Sequence, residues 1–120
     1  MSVLFVCYPK CGTCRKAEKW LKDQGLAYEK RDISIDQPTE AELREWKEKS
    51  GLPLKKFFNT SGQIYRQNQL KDKLPGMTED QQFALLAESG MLVKRPILVD
   101  GDTVLVGFKE KDYEDYQLKS

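Results

Sequence analysis

The chain contains no histidine. That absence rules out a Cys-His pair and a Ser-His-Asp triad, and it removes the side chain most often used as a general base. Any nucleophile here must be activated by fixed positive charge and backbone dipoles. An excess of one charge is also missing: 20 Lys and Arg stand against 19 Asp and Glu, a net +1, with the signs interspersed. Without a long basic run there is no electrostatic footprint for direct nucleic-acid binding or for an anionic membrane. No apolar stretch approaches membrane-spanning length. The start, Met1-Ser2-Val3-Leu4-Phe5-Val6, reads as a first strand and lacks the basic and long apolar regions of an export signal. A cytoplasmic location is expected. No Gly-x-Gly-x-x-Gly or phosphate-binding Gly-Lys-Thr pattern occurs, so no nucleotide site is expected.

Cysteine is scarce and clustered. All three residues, Cys7, Cys11 and Cys14, fall within one stretch of the 120-residue chain, Cys7-Tyr8-Pro9-Lys10-Cys11-Gly12-Thr13-Cys14-Arg15. In a reducing compartment such a cluster reads as redox or metal chemistry rather than as a structural framework. A chain of this length folds as one domain, burying roughly two-thirds of the surface its unfolded form exposes. No internal repeat, low-complexity segment or linker interrupts it.

Periodicity and turn residues give the order β-α-β, a helical middle, then β-β-α. Val3 to Cys7 is a short apolar run followed by the turn residues Tyr8-Pro9-Lys10. A helix is expected from Gly12-Thr13, with Ala17, Trp20 and Leu21 on one face and Gly25 ending it. Leu26 to Ile33 reads as a second strand of weak alternation. Thr39 with Glu42, and Thr78 with Gln81, are capping boxes opening helices that Gly51 and Gly90 stop. Between them Leu54, Phe57 and Phe58 fit a short helical turn, Asn59-Thr60-Ser61-Gly62 a polar loop and Pro75-Gly76 a break. Ile97-Leu98-Val99 and Thr103-Val104-Leu105-Val106 flank Asp100-Gly101, a tight-hairpin signal, and a last helix covers Lys109 to Tyr116. The first βαβ unit should be parallel and right-handed, and the hairpin should complete a mixed sheet. Trp20, Trp46, Phe57, Phe58 and Phe83 are expected in the core.

A Cys-x-x-Cys at a strand-to-helix junction is where thiol chemistry gains most. The helix start offers unpaired N–H groups and about half a positive charge, and both stabilise a Cys11 thiolate. Lys10 and Arg15 add positive charge, Gly12 leaves the backbone open to a ligand, and the same loop, Thr13 included, can cradle an oxyanion. Cys14, one turn on, can close a disulfide with Cys11, making Cys11 the attacking thiol and Cys14 the resolving one. Two metal readings compete. Cys-x3-Cys-x2-Cys is also the spacing of radical S-adenosylmethionine enzymes, but those need a βα barrel, for which the usual chain is ~250 residues. A structural zinc would need a fourth ligand that the cluster does not offer. No metal is expected. Cys7 reads as a small buried residue. Arg95, in Lys94-Arg95-Pro96, reads either as a solvated surface residue or as the cationic partner of the thiolate or of a bound anion; a cis bond before Pro96 is compatible with its place at a strand start.

These residues together resemble the ArsC/Spx family of arsenate-reductase-like proteins and Spx-type redox regulators. The resemblance runs through Cys11-Gly12-Thr13-Cys14-Arg15-Lys16-Ala17, Phe57-Phe58-Asn59-Thr60-Ser61-Gly62 with Tyr65-Arg66, Lys94-Arg95-Pro96-Ile97 and Val106-Gly107-Phe108. It implies an α/β fold with a thioredoxin-like mixed-sheet core, about 1–37 and 93–120, and an inserted helical subdomain, about 38–92. It implies Cys11 as nucleophile and Arg95, beside a cis Pro96, as a holder of the anion. It further implies a thiol-dependent reductase with no resident cofactor, drawing on glutathione or on a thioredoxin or glutaredoxin. Glutaredoxin-coupled arsenate reductases are similar around Cys11 but carry serine at the position of Cys14. They use three arginines about the oxyanion; Arg95 matches one, and Asn59 and Gly107 stand at the other two. Spx-type regulators share the Cys-x-x-Cys, the Arg-Pro pair and a glycine similar to Gly51, which lies on their RNA-polymerase-binding face. The alternative expectation is therefore a redox-switched regulator that binds the RNA polymerase α subunit, although the Gln117-Leu118-Lys119-Ser120 end lacks the longer basic tail of those proteins.

Overall fold

A computed structural model describes residues 3–119 of the chain. Met1 and Ser2, which the sequence reading places in the first strand, lie outside the described residues. The sheet has four strands in the order β2-β1-β3-β4, with β1 Leu4–Cys7, β2 Glu29–Asp32, β3 Ile97–Asp100 and β4 Thr103–Val106. β1 and β2 run parallel, joined through helix α1, Gly12–Asp23. β3 pairs antiparallel with both β1 and β4. This is the mixed α/β sheet expected, arranged as a thioredoxin-like fold.

Side chains alternate across the sheet and sort into two cores. Phe5, Cys7 and Leu98 face α1 and α6, Glu110–Lys119, where they meet Ala17, Trp20, Leu21, Tyr113 and Tyr116. Val6, Ile97 and Val104 face the opposite layer. That layer is built from α2 Glu40–Ser50, α3 Gln63–Gln67, α4 Leu70–Lys73 and α5 Glu79–Glu88, with 3-10 turns at Leu54–Phe57, Leu74–Gly76 and Gly90–Leu92. All five expected core aromatics are buried. Both capping boxes form: Thr39 accepts from the Glu42 N–H and Thr78 from the Gln81 N–H, while each partner side chain returns to the cap backbone.

The structure departs from the sequence reading in four places. β2 is only Glu29–Asp32, because Leu26 and Tyr28 leave the sheet to pack with the α1 layer. α3 and α4 occupy a stretch that no periodicity marked, separated by Gln69 in the left-handed region at φ 53°. The hairpin turn is shifted by one residue: Asp100 pairs with Thr103, so Gly101 and Asp102 form the turn, with Gly101 at φ 58°. Glycine at the first central position with a negative φ after it is the type II′ arrangement.

The fourth departure concerns Gly90. α5 already ends at Glu88, and Gly90 is buried against the backbone that leaves β2. A Cβ there would overlap the Ile33 carbonyl oxygen and stand 3.0 Å from its carbonyl carbon. The glycine therefore permits a close approach of two backbones instead of stopping a helix. Because the obstacle is main chain, neither side can give way cheaply. Gly90→Ala is expected to destabilise the protein by about 1–3 kcal/mol, read as a lower urea midpoint at unchanged slope. Wild-type stability in that variant would show that the approach is not constrained.

Candidate thiol site

β1 ends on Cys7, and the chain turns at once: the Cys11 N–H donates to the Tyr8 carbonyl at 2.9 Å. Cys11 then takes the N-cap position of α1, with extended backbone (φ −87°, ψ 124°). That is the position where a Ser, Thr or Asp side chain ordinarily meets the free N–H groups of the first turn. Here the occupant is sulfur. It makes no full capping hydrogen bond, but the N–H groups of Cys14 and Thr13 lie close enough to stabilise negative charge on it.

The three thiols sit in different environments. Burial alone would raise Cys11, which is half-buried, yet the Cys14 N–H, the Cys14 thiol, the Thr13 N–H and the Arg95 cation outweigh it and hold the thiol below its ordinary value. Burial pushes Cys14 up to about 12; the Tyr8 N–H, 3.3 Å from its sulfur, opposes that rise, and charge on Cys11 adds to it. Burial pushes Cys7 up to about 11. One sulfur is thus poised to ionise, and the other two are held as thiols.

Arg95 is not the solvated surface residue that one reading of its position allowed. It is half-buried, with its guanidinium 5.4 Å from the centre of the Tyr8 ring and Nη1 at 3.4 Å from the Met91 carbonyl oxygen and 3.6 Å from Met91 Sδ. Its Nε is buried without a hydrogen-bond partner. Among the described residues no carboxylate pairs with it. Its charge is thus not neutralised by a carboxylate, and it acts on the Cys11 thiol. The Arg95–Pro96 bond is cis, and the buried Pro96 accepts a 2.8 Å hydrogen bond from the Gly107 N–H.

The structure brings Cys11, Thr13, Cys14 and Arg95 together, and leaves other predicted residues at the margin. Arg15 is exposed and donates from Nε to the Pro9 carbonyl at 3.0 Å, so it braces the turn before Cys11. Lys10 is exposed, and Arg95 rather than Lys10 or Arg15 is the cation among the leading influences on the thiol. Gly12 is exposed, and a Cβ there would meet nothing within 4 Å, so approach to the loop is open. Asn59 is engaged elsewhere. Its N–H donates to Leu92 at 2.7 Å, its carbonyl accepts from Gly62 at 3.0 Å, and no hydrogen bond ties its side chain to the thiols.

Tyr8 was not singled out by sequence, yet it serves the site twice, through its N–H on Cys14 and its ring beneath Arg95. The available signal was its place in the turn between strand and Cys-x-x-Cys. Tyr113 is a second such residue. Its ring stacks edge-on with Trp20 and Phe108 in the core that holds Cys14, and its buried hydroxyl has no partner.

The ArsC family profile matches residues 7–116. The chain belongs to the ArsC family. It is 55% identical over 115 residues to the uncharacterized protein YusI of Bacillus subtilis, covering 96% of this chain and 98% of YusI. The crystal structure of a possible arsenate reductase from Streptococcus mutans superposes with a TM-score of 0.85 at 45% identity, covering 93% of this chain and 97% of that one. The regulatory protein MgsR of B. subtilis is 30% identical over 104 residues, 87% of this chain and 81% of MgsR. Its relatives thus include a protein described as a possible arsenate reductase and one described as a regulator.

A thiol whose folded value is depressed gains thiolate as pH rises through that lower value, and loses the associated stabilisation as pH falls through it. Alkylation of the reduced protein by iodoacetamide, followed at Cys11 by mass spectrometry, is expected to rise with a midpoint below the ~8.5 of free cysteine. Arg95→Met should move that midpoint upward without changing which residue reacts first. A midpoint at the free-cysteine value in the wild type would contradict this electrostatic account of the site.

Proposed function

We propose that this ArsC-family chain is a thiol-dependent oxidoreductase with Cys11 as nucleophile and Cys14 as resolving thiol. The observation that carries it is the division between the two sulfurs: Cys11 is only half-buried and favours the thiolate, while Cys14 is buried and keeps its proton. In the first step the Cys11 thiolate attacks a disulfide sulfur of the substrate. An S–S bond forms on Cys11, the substrate S–S bond breaks, and one substrate thiolate departs. Cys14 then passes its proton to the thiolate released in the first step, or to water, and attacks the Cys11 sulfur, releasing the second thiolate. The substrate gains two electrons, and the Cys11–Cys14 pair loses them to become a disulfide. An external thiol, glutathione or a thioredoxin- or glutaredoxin-type protein of the cytoplasm, returns the pair to the dithiol.

An oxyanion such as arsenate is the other substrate class, with Arg95, the Thr13 N–H and the open loop at Gly12 to receive it. Arg95 is the cation next to that position, where the arsenate reductases use three. Each charge-assisted hydrogen bond contributes about 1.5–3 kcal/mol, so two fewer favour a sulfur substrate over arsenate.

The test is turnover of a glutathione mixed disulfide and of arsenate by Cys11→Ser and Cys14→Ser. Cys11→Ser should fall to background on both. Cys14→Ser should accumulate a protein–glutathione adduct on Cys11, seen as a mass increase that a reductant removes. Unchanged turnover by Cys11→Ser would remove the proposed role.

A second reading is favoured by the likeness to MgsR and by Gly51, exposed at the end of α2 in the left-handed region at φ 69°. In it the same thiol pair is a switch that sets affinity for the α subunit of RNA polymerase. Reduced and oxidised protein, each used in a pulldown with the C-terminal domain of that subunit, should then bind it to different extents. Absence of binding in both would eliminate this reading.

A further inference from the structure

β4 is the edge of the sheet, and its free side opens on a groove of about 790 Å³. Three consecutive residues of the strand, Val104, Leu105 and Val106, line it. Successive side chains point to opposite faces, so what the three share is the backbone edge itself. Which backbone groups that edge presents follows from the register. The Gly107 N–H bonds to the Pro96 carbonyl, and Asp100 pairs with Thr103 across the turn. Hydrogen-bonded pairs alternate along an antiparallel ladder. Leu105–Leu98 is then a bonded pair as well, and the N–H and C=O groups of Val104 and Val106 point away from β3 into the groove.

The walls of the groove are mainly basic. Lys55, Lys56, Lys94 and Lys109 stand around it, with Asp112 at the α6 end, above a floor that includes Leu52 and Phe58. None of the four ammonium groups has an ion pair or hydrogen bond among the described residues. Four unpaired cations around one strand edge repel each other, and a counter-charge arriving between them relieves that repulsion.

We propose that the β4 edge is a docking site for an extended acidic peptide segment of a partner protein, added to the sheet as a fifth strand. Its backbone would exchange hydrogen bonds with Val104 and Val106, and its carboxylates would meet the four lysines, the mode in which main-chain bonds supply affinity and the flanking side chains supply specificity. A second copy of this chain does not fit, since edge-to-edge pairing would set one lysine rim against another. Lysines at a sheet edge also discourage unwanted strand pairing. The concave walls and the Leu52–Phe58 floor are what such a guard would not need.

This inference is independent of the thiol chemistry, and Cys11→Ser should bind as the wild type does. The probe is an end-capped peptide of about six residues alternating Glu and Val, titrated into the ¹⁵N-labelled full chain. The expected result is chemical-shift change and slowed amide exchange at Val104 and Val106, lost when the peptide's alternate amides are N-methylated. The double variant Lys55→Glu/Lys109→Glu, and a Lys-Val peptide on the wild type, should each weaken binding by about tenfold or more. Shifts confined to lysine side chains and indifferent to N-methylation, no response at either valine, or dimerisation of the free chain in light scattering would overturn the proposal.

Discussion

A sulfur placed where a helix expects an oxygen cap is the arrangement on which the proposed chemistry depends. The first turn of α1 needs an acceptor for its free N–H groups, and Cys11 stands in that position with a thiol, a poor acceptor until it ionises. Helix start and thiolate therefore satisfy each other's needs. Burial works against this and is the largest single influence on Cys11, so the outcome turns on several smaller favourable contributions acting together. In a chain without histidine no neighbouring imidazole can take the proton on demand. The ionised state has to be prepared by the fold.

Preparing it requires Arg95 to arrive from the far end of the sequence. The helical layer is tied back to the sheet just before this residue. Asn59 donates to Leu92 and the Lys94 N–H to Phe57 at 2.8 Å, with Phe58 and Val93 forming an isolated antiparallel bridge between the two segments. A few residues earlier, Gly90 lets the same segment lie directly on the backbone that leaves β2. These contacts fix the path of residues 90–96, and that path carries the guanidinium over Tyr8. Tyr8 in turn reaches Cys14 through its N–H. The packing of the helical layer is thus connected to the thiol pair through backbone contacts rather than through a chain of surface charges.

Much of this is legible in the sequence wherever the signal is local. Thr39 with Glu42 and Thr78 with Gln81 specify their own helix starts, because each box is closed within four residues. The Cys-x-x-Cys after an apolar run locates the site for the same reason. What cannot be read depends on contacts distant in sequence. β2 reads too long because Leu26 and Tyr28 are apolar for the α1 layer and not for the sheet. α3 and α4, four or five residues each, are too short for a helical period to register. Gly90 resembles a helix stop, and only the approach of Ile33 reveals its purpose. Arg95 has two readings at its position, and its contacts with Tyr8 and Met91 set the solvated one aside.

The spread between the two site thiols also bears on how an exchange cycle would run. In a Cys11–Cys14 disulfide the accessible sulfur is Cys11, so an incoming thiolate attacks there and must expel Cys14. A thiol pushed up to about 12 is a poor leaving group, since departure is faster for sulfurs of lower pKa. The Tyr8 N–H lies 3.3 Å from that sulfur and can stabilise the charge as it forms. Cys14 attacks only as its thiolate, and its raised value belongs to the state in which Cys11 is still free beside it. Once Cys11 is held in a mixed disulfide it carries no charge, so one of the influences that raises Cys14 is gone and its attack on the Cys11 sulfur is eased. In the proposed cycle the buried thiol thus keeps its proton while Cys11 is free and is released toward attack when Cys11 is occupied.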